Sequence, residues 1–258
     1  MLAGRASLPG SMRAILAVLL IASAASAEGL DRDTLLTDAP AVPDKGTVRV
    51  TGGVTGTSDS AGVDNVQGQA VGTAAIQWTP FDRFAADVSA YFQIGQQGPS
   101  ARVRYQILKQ SEYGLDLAAG VRFKTVGFHP DQGEVELILA GGRRWGRFEL
   151  VVDAVIGFET AEGGGKDGEL KAFAGYRLGE SVRVGIDERL QAELGDDEAE
   201  AAPPVGTPSV RDYDLTVGPA LSWMVTRELQ LQALVGMAQP KKTNITAPVG
   251  VVQVSFDF

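Results

Sequence analysis

Residues 147–159 read RFELVVDAVIGFE. Phe148, Leu150, Val152, Ala154, Ile156 and Phe158 alternate with Arg147, Glu149, Asp153 and Glu159. A helix would mix these two sets on its surface, whereas a strand, which repeats every two residues, keeps them on opposite faces. The run is longer than ten residues. Strands of soluble domains usually have about five or six, and about nine to eleven tilted residues cross a bilayer. The stretch therefore reads as a spanning strand with one greasy and one charged face.

The same rhythm runs outward from it in both directions. Phe84, Ala86, Val88, Ala90, Phe92 and Ile94 alternate with Arg83, Asp87, Ser89, Tyr91 and Gln93. Val252, Val254, Phe256 and Phe258 alternate with Gln253, Ser255 and Asp257. About twelve such segments follow one another, near 46–55, 65–78, 82–95, 100–109, 113–125, 133–143, 147–159, 168–178, 181–194, 211–224, 227–238 and 247–258. A one-residue slip would turn every apolar side chain to the wrong medium, so the faces are strongly specified. Short connections such as Arg144–Gly146 alternate with long ones such as Gly195–Val210, the pattern of short periplasmic turns and longer external loops. The expected fold is all-β, an antiparallel up-and-down transmembrane β-barrel of about twelve strands over residues 46–258. An even strand count puts both termini on the periplasmic side.

Composition agrees. A 44% hydrophobic chain with mean hydropathy +0.01 is no helical membrane protein, but it fits a barrel in which every second residue faces lipid. Residues 1–27 read as a signal peptide: Met12-Arg13, the apolar core AILAVLLI from Ala14, and the A-x-A site Ala25-Ser26-Ala27, with the mature chain expected from Glu28. Residues 28–45 are polar, contain two prolines and lack alternation, and are expected to form a periplasmic N-terminal extension. Residues 1–27 carry Arg5 and Arg13 and no acids, so the remaining chain has 21 Lys+Arg against 32 Asp+Glu, a net of −11. That balance speaks against nucleic acid as a partner.

Trp78, Tyr113, Trp145 and Trp223 all fall beside short turns, where they would form an aromatic girdle at one membrane interface. With the signal ending in Ala25-Ser26-Ala27, the alternating strands, and a last strand VVQVSFDF closing on Phe258, the chain resembles the bacterial outer-membrane β-barrel, porin-like class. The resemblance covers residues 46–258 in architecture. It implies outer-membrane lipid as surroundings. It also implies that Val252, Val254, Phe256 and Phe258 form the C-terminal signal read by the barrel assembly machinery.

If the apolar face meets lipid, the other face lines the lumen. The expected lumen-lining charges are Arg83, Arg102, Arg104, Arg122, Lys124, Lys171, Arg177, Arg183 and Arg189, with Asp87, Asp116, Glu134, Glu136, Glu149, Asp153, Asp187, Asp212 and Asp214. They can act as rings that select permeating solutes by charge, or pair with one another and close a narrow lumen. Inward Ala85, Ala118, Gly120, Gly175 and Gly185 would leave room beside them, which favours a passive pore for small polar solutes. Catalysis has little support. The only histidine, His129, stands in VGFHPDQ two residues before Asp131 with no nucleophile elbow near it, so an outer-membrane lipid-modifying enzyme is the remoter alternative. No Cys and no second His exist to hold a metal, and no cofactor motif is present.

Overall fold

A computed structural model describes residues 30–57, 70–93, 96–127, 129–162, 164–194, 211–241 and 245–258. The expected signal peptide and the acidic loop 195–210 lie outside the described residues. Twelve strands follow in order: β1 Val48–Thr57, β2 Ala70–Phe81, β3 Phe84–Gln93, β4 Gln96–Leu108, β5 Asp116–Val126, β6 His129–Trp145, β7 Phe148–Glu159, β8 Lys166–Arg177, β9 Val182–Glu193, β10 Tyr213–Met224, β11 Leu229–Gln239 and β12 Ala247–Asp257. One helical turn, α1 (Gln110–Tyr113), joins β4 to β5 and ends on Gly114, whose φ of 80° supplies the left-handed C-cap. Every strand pairs antiparallel with its chain neighbours, and β1 pairs with β12, which closes the barrel and removes both sheet edges.

The alternation seen in the sequence becomes the division between outside and inside. In β7 the burial pattern switches at every residue from Phe148 to Phe158. Outward Leu150, Val152 and Ile156 are exposed, while inward Glu149, Val151, Asp153 and Val155 are buried. Val88, Leu137, Leu139, Leu170, Ile186 and Val252 extend the exposed apolar belt around the barrel. A water-soluble protein would lose about 25 cal/mol for each Å² of apolar surface left in water. A continuous greasy belt over buried charge is instead what hydrocarbon surroundings require.

Two connections are shorter than expected. β4 already begins at Gln96, and β6 at His129, so the gaps expected between segments 82–95 and 100–109 and between 113–125 and 133–143 are largely strand.

The larger correction concerns residues 28–45. The part described, from Leu30 onward, does not extend away from the barrel into the periplasm. It runs inside the lumen, entering from the short-turn end. Leu30, Thr37, Asp38 and Ala39 are buried there. Nothing in its own local pattern announces this, because the segment forms no strand and its partners are far away in sequence.

Candidate functional site: the barrel lumen

The cross-strand register builds the lumen wall. Asp87 lies opposite Arg102 across β3 and β4, and donor and acceptor meet at 2.8 Å. Arg122 and Lys124 on β5 lie opposite Glu136 and Glu134 on β6. Arg122 pairs with Glu136, and Lys124 reaches both carboxylates, at 3.0 and 2.7 Å. On β7 and β9, Glu149 accepts from Arg183 at 3.0 Å, with Arg144 at 3.5 Å on its other side. On β8 and β9, Glu169 receives Arg189 at 2.6 Å and Lys171 at 3.2 Å. Opposite charges brought face to face on one sheet surface hold the register as well as each other.

The N-terminal segment completes this network. Asp33 accepts from Arg102 at 2.8 Å and from Arg104 at 2.9 Å. Asp38 pairs with Arg102, and with Lys171 at 3.2 Å. Arg104 also donates to the carbonyl of Ala39 at 3.0 Å. The segment's own N–H and O–H groups go to barrel carboxylates: Asp38 N to Asp153 at 2.5 Å, Leu36 N to Asp187 at 3.0 Å, and Thr37 Oγ1 to Asp187 at 2.7 Å. Near the mouth Arg32 pairs with Asp257, which Arg49 also holds at 2.7 Å. Burial would push the Asp33 carboxyl up, but the Arg102 and Arg104 guanidiniums outweigh it and hold Asp33 well below the usual carboxylate range. Burial likewise opposes Asp38, and Lys171 and Arg102 overcome it in the same direction.

Most of the expected lumen charges stand on the inner face. Asp87, Arg102, Arg104, Arg122, Lys124, Glu134, Glu136, Glu149, Asp153, Lys171, Arg183, Asp187 and Arg189 form or border the network. Asp116 is buried near the short-turn end and accepts from Gln106 and the Gln110 amide, both at 2.9 Å. Asp214 accepts from the Lys241 amide at 2.5 Å toward the long-loop end. Arg177 lies at the mouth, with its guanidinium 3.2 Å from the Glu180 carbonyl.

Arg83 and Asp212 do not line the lumen. Arg83 occupies the tight β2–β3 turn at φ 67°, and its Nη2 donates to both carboxylate oxygens of Glu112, at 2.8 and 2.9 Å. Asp212 is exposed and precedes the first residue of β10. Strand alternation was carried one residue too far in both cases.

The inward glycines also play a different part from the one expected. A Cβ on Gly185 would meet the ring of Phe173 at 2.7 Å, and one on Gly142 would meet Pro40 at 2.7 Å and Leu30 at 2.9 Å. These gaps are filled by Phe173 and by the N-terminal segment. Phe173 in turn lies under Arg183, 5.2 Å from ring centre to guanidinium.

Sequence reading missed Arg49, Arg144, Glu169, Asp257 and the segment's Asp33 and Asp38. Glu169 was legible, since it shares a face with Lys171 two residues on. For Asp33 and Asp38 no periodic signal existed. His129 opens β6, opposite Val126, and no group of three or more metal-ligating side chains occurs among the described residues.

The aromatic girdle residues gather at one rim. Trp78, Tyr113 and Trp145 are exposed at the short-turn end, and Trp223 is half-exposed at the same end of β10. Phe148 and Tyr176 stack edge-on beside them at 4.9 Å.

No family model and no curated protein matches the chain in sequence. Solved structures match it in fold. The KdgM porin superposes with a TM-score of 0.59 at 12% identity, covering 81% of this chain and 99% of that one. The NanC porin gives 0.59 at 9% identity, over 81% and 98%. The COG4313 outer membrane channel from Pseudomonas putida F1 gives 0.54 at 16% identity, over 84% and 97%. These neighbours are channels rather than enzymes. In fold, this chain is a closed twelve-strand antiparallel β-barrel similar to those outer-membrane porins and channels.

Proposed function

We propose that the chain is a passive pore for small polar solutes in the outer membrane, with both termini in the periplasm and VVQVSFDF serving as its assembly signal. The observation that carries this reading is the charged inner face enclosed by a spanning-length apolar exterior. Charge inside a barrel of this girth suits a water-bearing path. The segment from Leu30 to Pro43 lies in that path, so conduction is expected to rise when it shifts. The same observation favours a second reading, a structural barrel whose lumen stays closed by ion pairs.

Planar-bilayer recording separates the two. The full chain is expected to give rare, discrete conductance steps. Gly142→Val should make them several times more frequent, because the added methyls collide with Pro40 and Leu30. Silence from both proteins, with heat-modifiable gel mobility showing that they are folded, would give the closed barrel the better claim.

A further inference from the structure

We propose that Arg102, Arg104 and Lys171 form a carboxylate-binding site in the lumen, that Asp33 and Asp38 are its tethered occupants, and that small polycarboxylates carrying hydroxyl or amide donors displace them. The inference rests on the pore reading in one respect: solutes must reach the lumen.

The barrel itself over-concentrates positive charge at this level. Arg102 stands directly opposite Arg122, and Lys171 directly opposite Arg189. Like charges in register repel. Glu136 and Glu169 answer part of this charge from the strands. Arg104 has no such help. It is 2% exposed, and its acidic partner among the described residues is Asp33. Its Nε and Nη2 meet no acceptor even with the segment in place. A buried guanidinium with unused donors is a site built for more acceptor atoms than the segment provides.

The segment behaves as a ligand rather than as a wall element. The ladder β1 to β12 closes without it. Its own fold is kept by internal bonds, from Thr34 N to the Thr37 carbonyl at 2.9 Å, Ala39 N to Asp33 at 2.7 Å and Ala41 N to the Leu30 carbonyl at 3.1 Å. It can therefore leave as a unit. Gly46, at φ 93° with open space around it, marks the joint with β1.

What the segment presents defines the class of competitor. Two carboxylates meet the Arg102, Arg104 and Lys171 cluster, and neighbouring N–H and O–H donors meet Asp153 and Asp187. A small molecule with at least two carboxylates and a hydroxyl or amide reproduces that set. A bare anion such as chloride does not.

The chain has no Cys, so Ala39→Cys places a single thiol where the native side chain is buried. Labelling by an uncharged maleimide in the full-length, detergent-folded protein then reports departure of the segment. Asp33→Asn with Asp38→Asn should speed labelling at least tenfold. Citrate should speed it in the otherwise native chain, where sodium chloride of equal ionic strength does not, and Arg104→Gln should abolish the citrate response. Arg104→Lys, which keeps the charge but loses the fork, should retain part of it and serves if the Gln variant fails to fold. A citrate effect no larger than that of chloride, or one that survives Arg104→Gln, overturns the proposal. Labelling needs no ion flow. Citrate-driven labelling with a silent bilayer would sink the pore and keep the site, and a conducting barrel indifferent to citrate would do the reverse.

Discussion

From β4 round to β9 the inner wall carries Arg102, Arg104, Glu136, Glu149, Asp153, Glu169, Lys171, Asp187 and Arg189, all buried. From β10 round through β12 to β2 it carries Thr216, Ser222, Gln230, Gln232, Ser255 and Gln77, with an apolar cluster of Leu234, Ala238, Ala247, Val249 and Val251. Its charged exceptions sit near the ends: Arg49 and Asp257 close to the mouth, and Asp214 toward the long-loop end. The strand geometry is the same on both sides, yet the consequences differ. Buried charges depend on their partners, because removing one leaves another stranded in low dielectric. Neutral side chains depend on neighbours far less. The N-terminal segment touches both walls accordingly: Leu35 and Leu36 lie against the apolar cluster, while Asp33, Thr37 and Asp38 engage the charged wall. Apolar contact gives the segment area; the charged wall gives it address.

That contrast can be broken by mutation. Arg102→Ala should have the largest effect, since it takes one cationic partner from each of Asp33, Asp38 and Asp87. A cost of about 3–5 kcal/mol is expected, read as a lower urea midpoint for unfolding from lipid vesicles. A loss below about 1 kcal/mol would mean that water already solvates this wall. Thr37→Ala removes one bond from the segment to Asp187 and should cost about 1.5–3 kcal/mol in the same assay. Thr51→Ala, on the neutral side, loses only the 3.0 Å contact with Ser255 and should cost about 0.5–1.5 kcal/mol. If Thr51→Ala proves as damaging as Arg102→Ala, the two walls are not energetically distinct.

Acid sharpens the same comparison. Asp33 and Asp38 are held below the usual carboxylate range, with their ordinary value near 3.8. A depressed carboxylate contributes its full stabilisation above the unfolded value and loses it as pH falls through the folded one. The part of any acid-induced rise in conductance frequency that Asp33 and Asp38 govern should therefore appear only below about pH 4. The Asp33→Asn, Asp38→Asn chain should lack that acid-induced rise. A native chain whose response to strong acid matches that of the double variant would show that these two carboxylates do not hold the segment.

The strands were legible because their signal is local. A face that must change every residue leaves its mark within one segment, as in FELVVDAVIGFE, so β7 matches its expected bounds to within a residue. The inward set was legible for the same reason, except at Arg83 and Asp212, where the turn geometry had already replaced the strand. The site's closure was not legible. Asp38 is separated from Lys171 by 133 residues and from Arg102 by 64, and no periodicity links them.

The amino-acid sequence by itself determined twelve two-faced strands, their polarity and the rim that gathers Trp78, Trp145 and Trp223, because each depends on side chains two residues apart meeting unlike media. Tertiary structure alone decided which carboxylate neutralises which guanidinium and that residues from Leu30 to Pro43 lie within the lumen. Those outcomes depend on Coulomb attraction across the width of a closed barrel, and the distances that govern it do not exist until β1 has met β12.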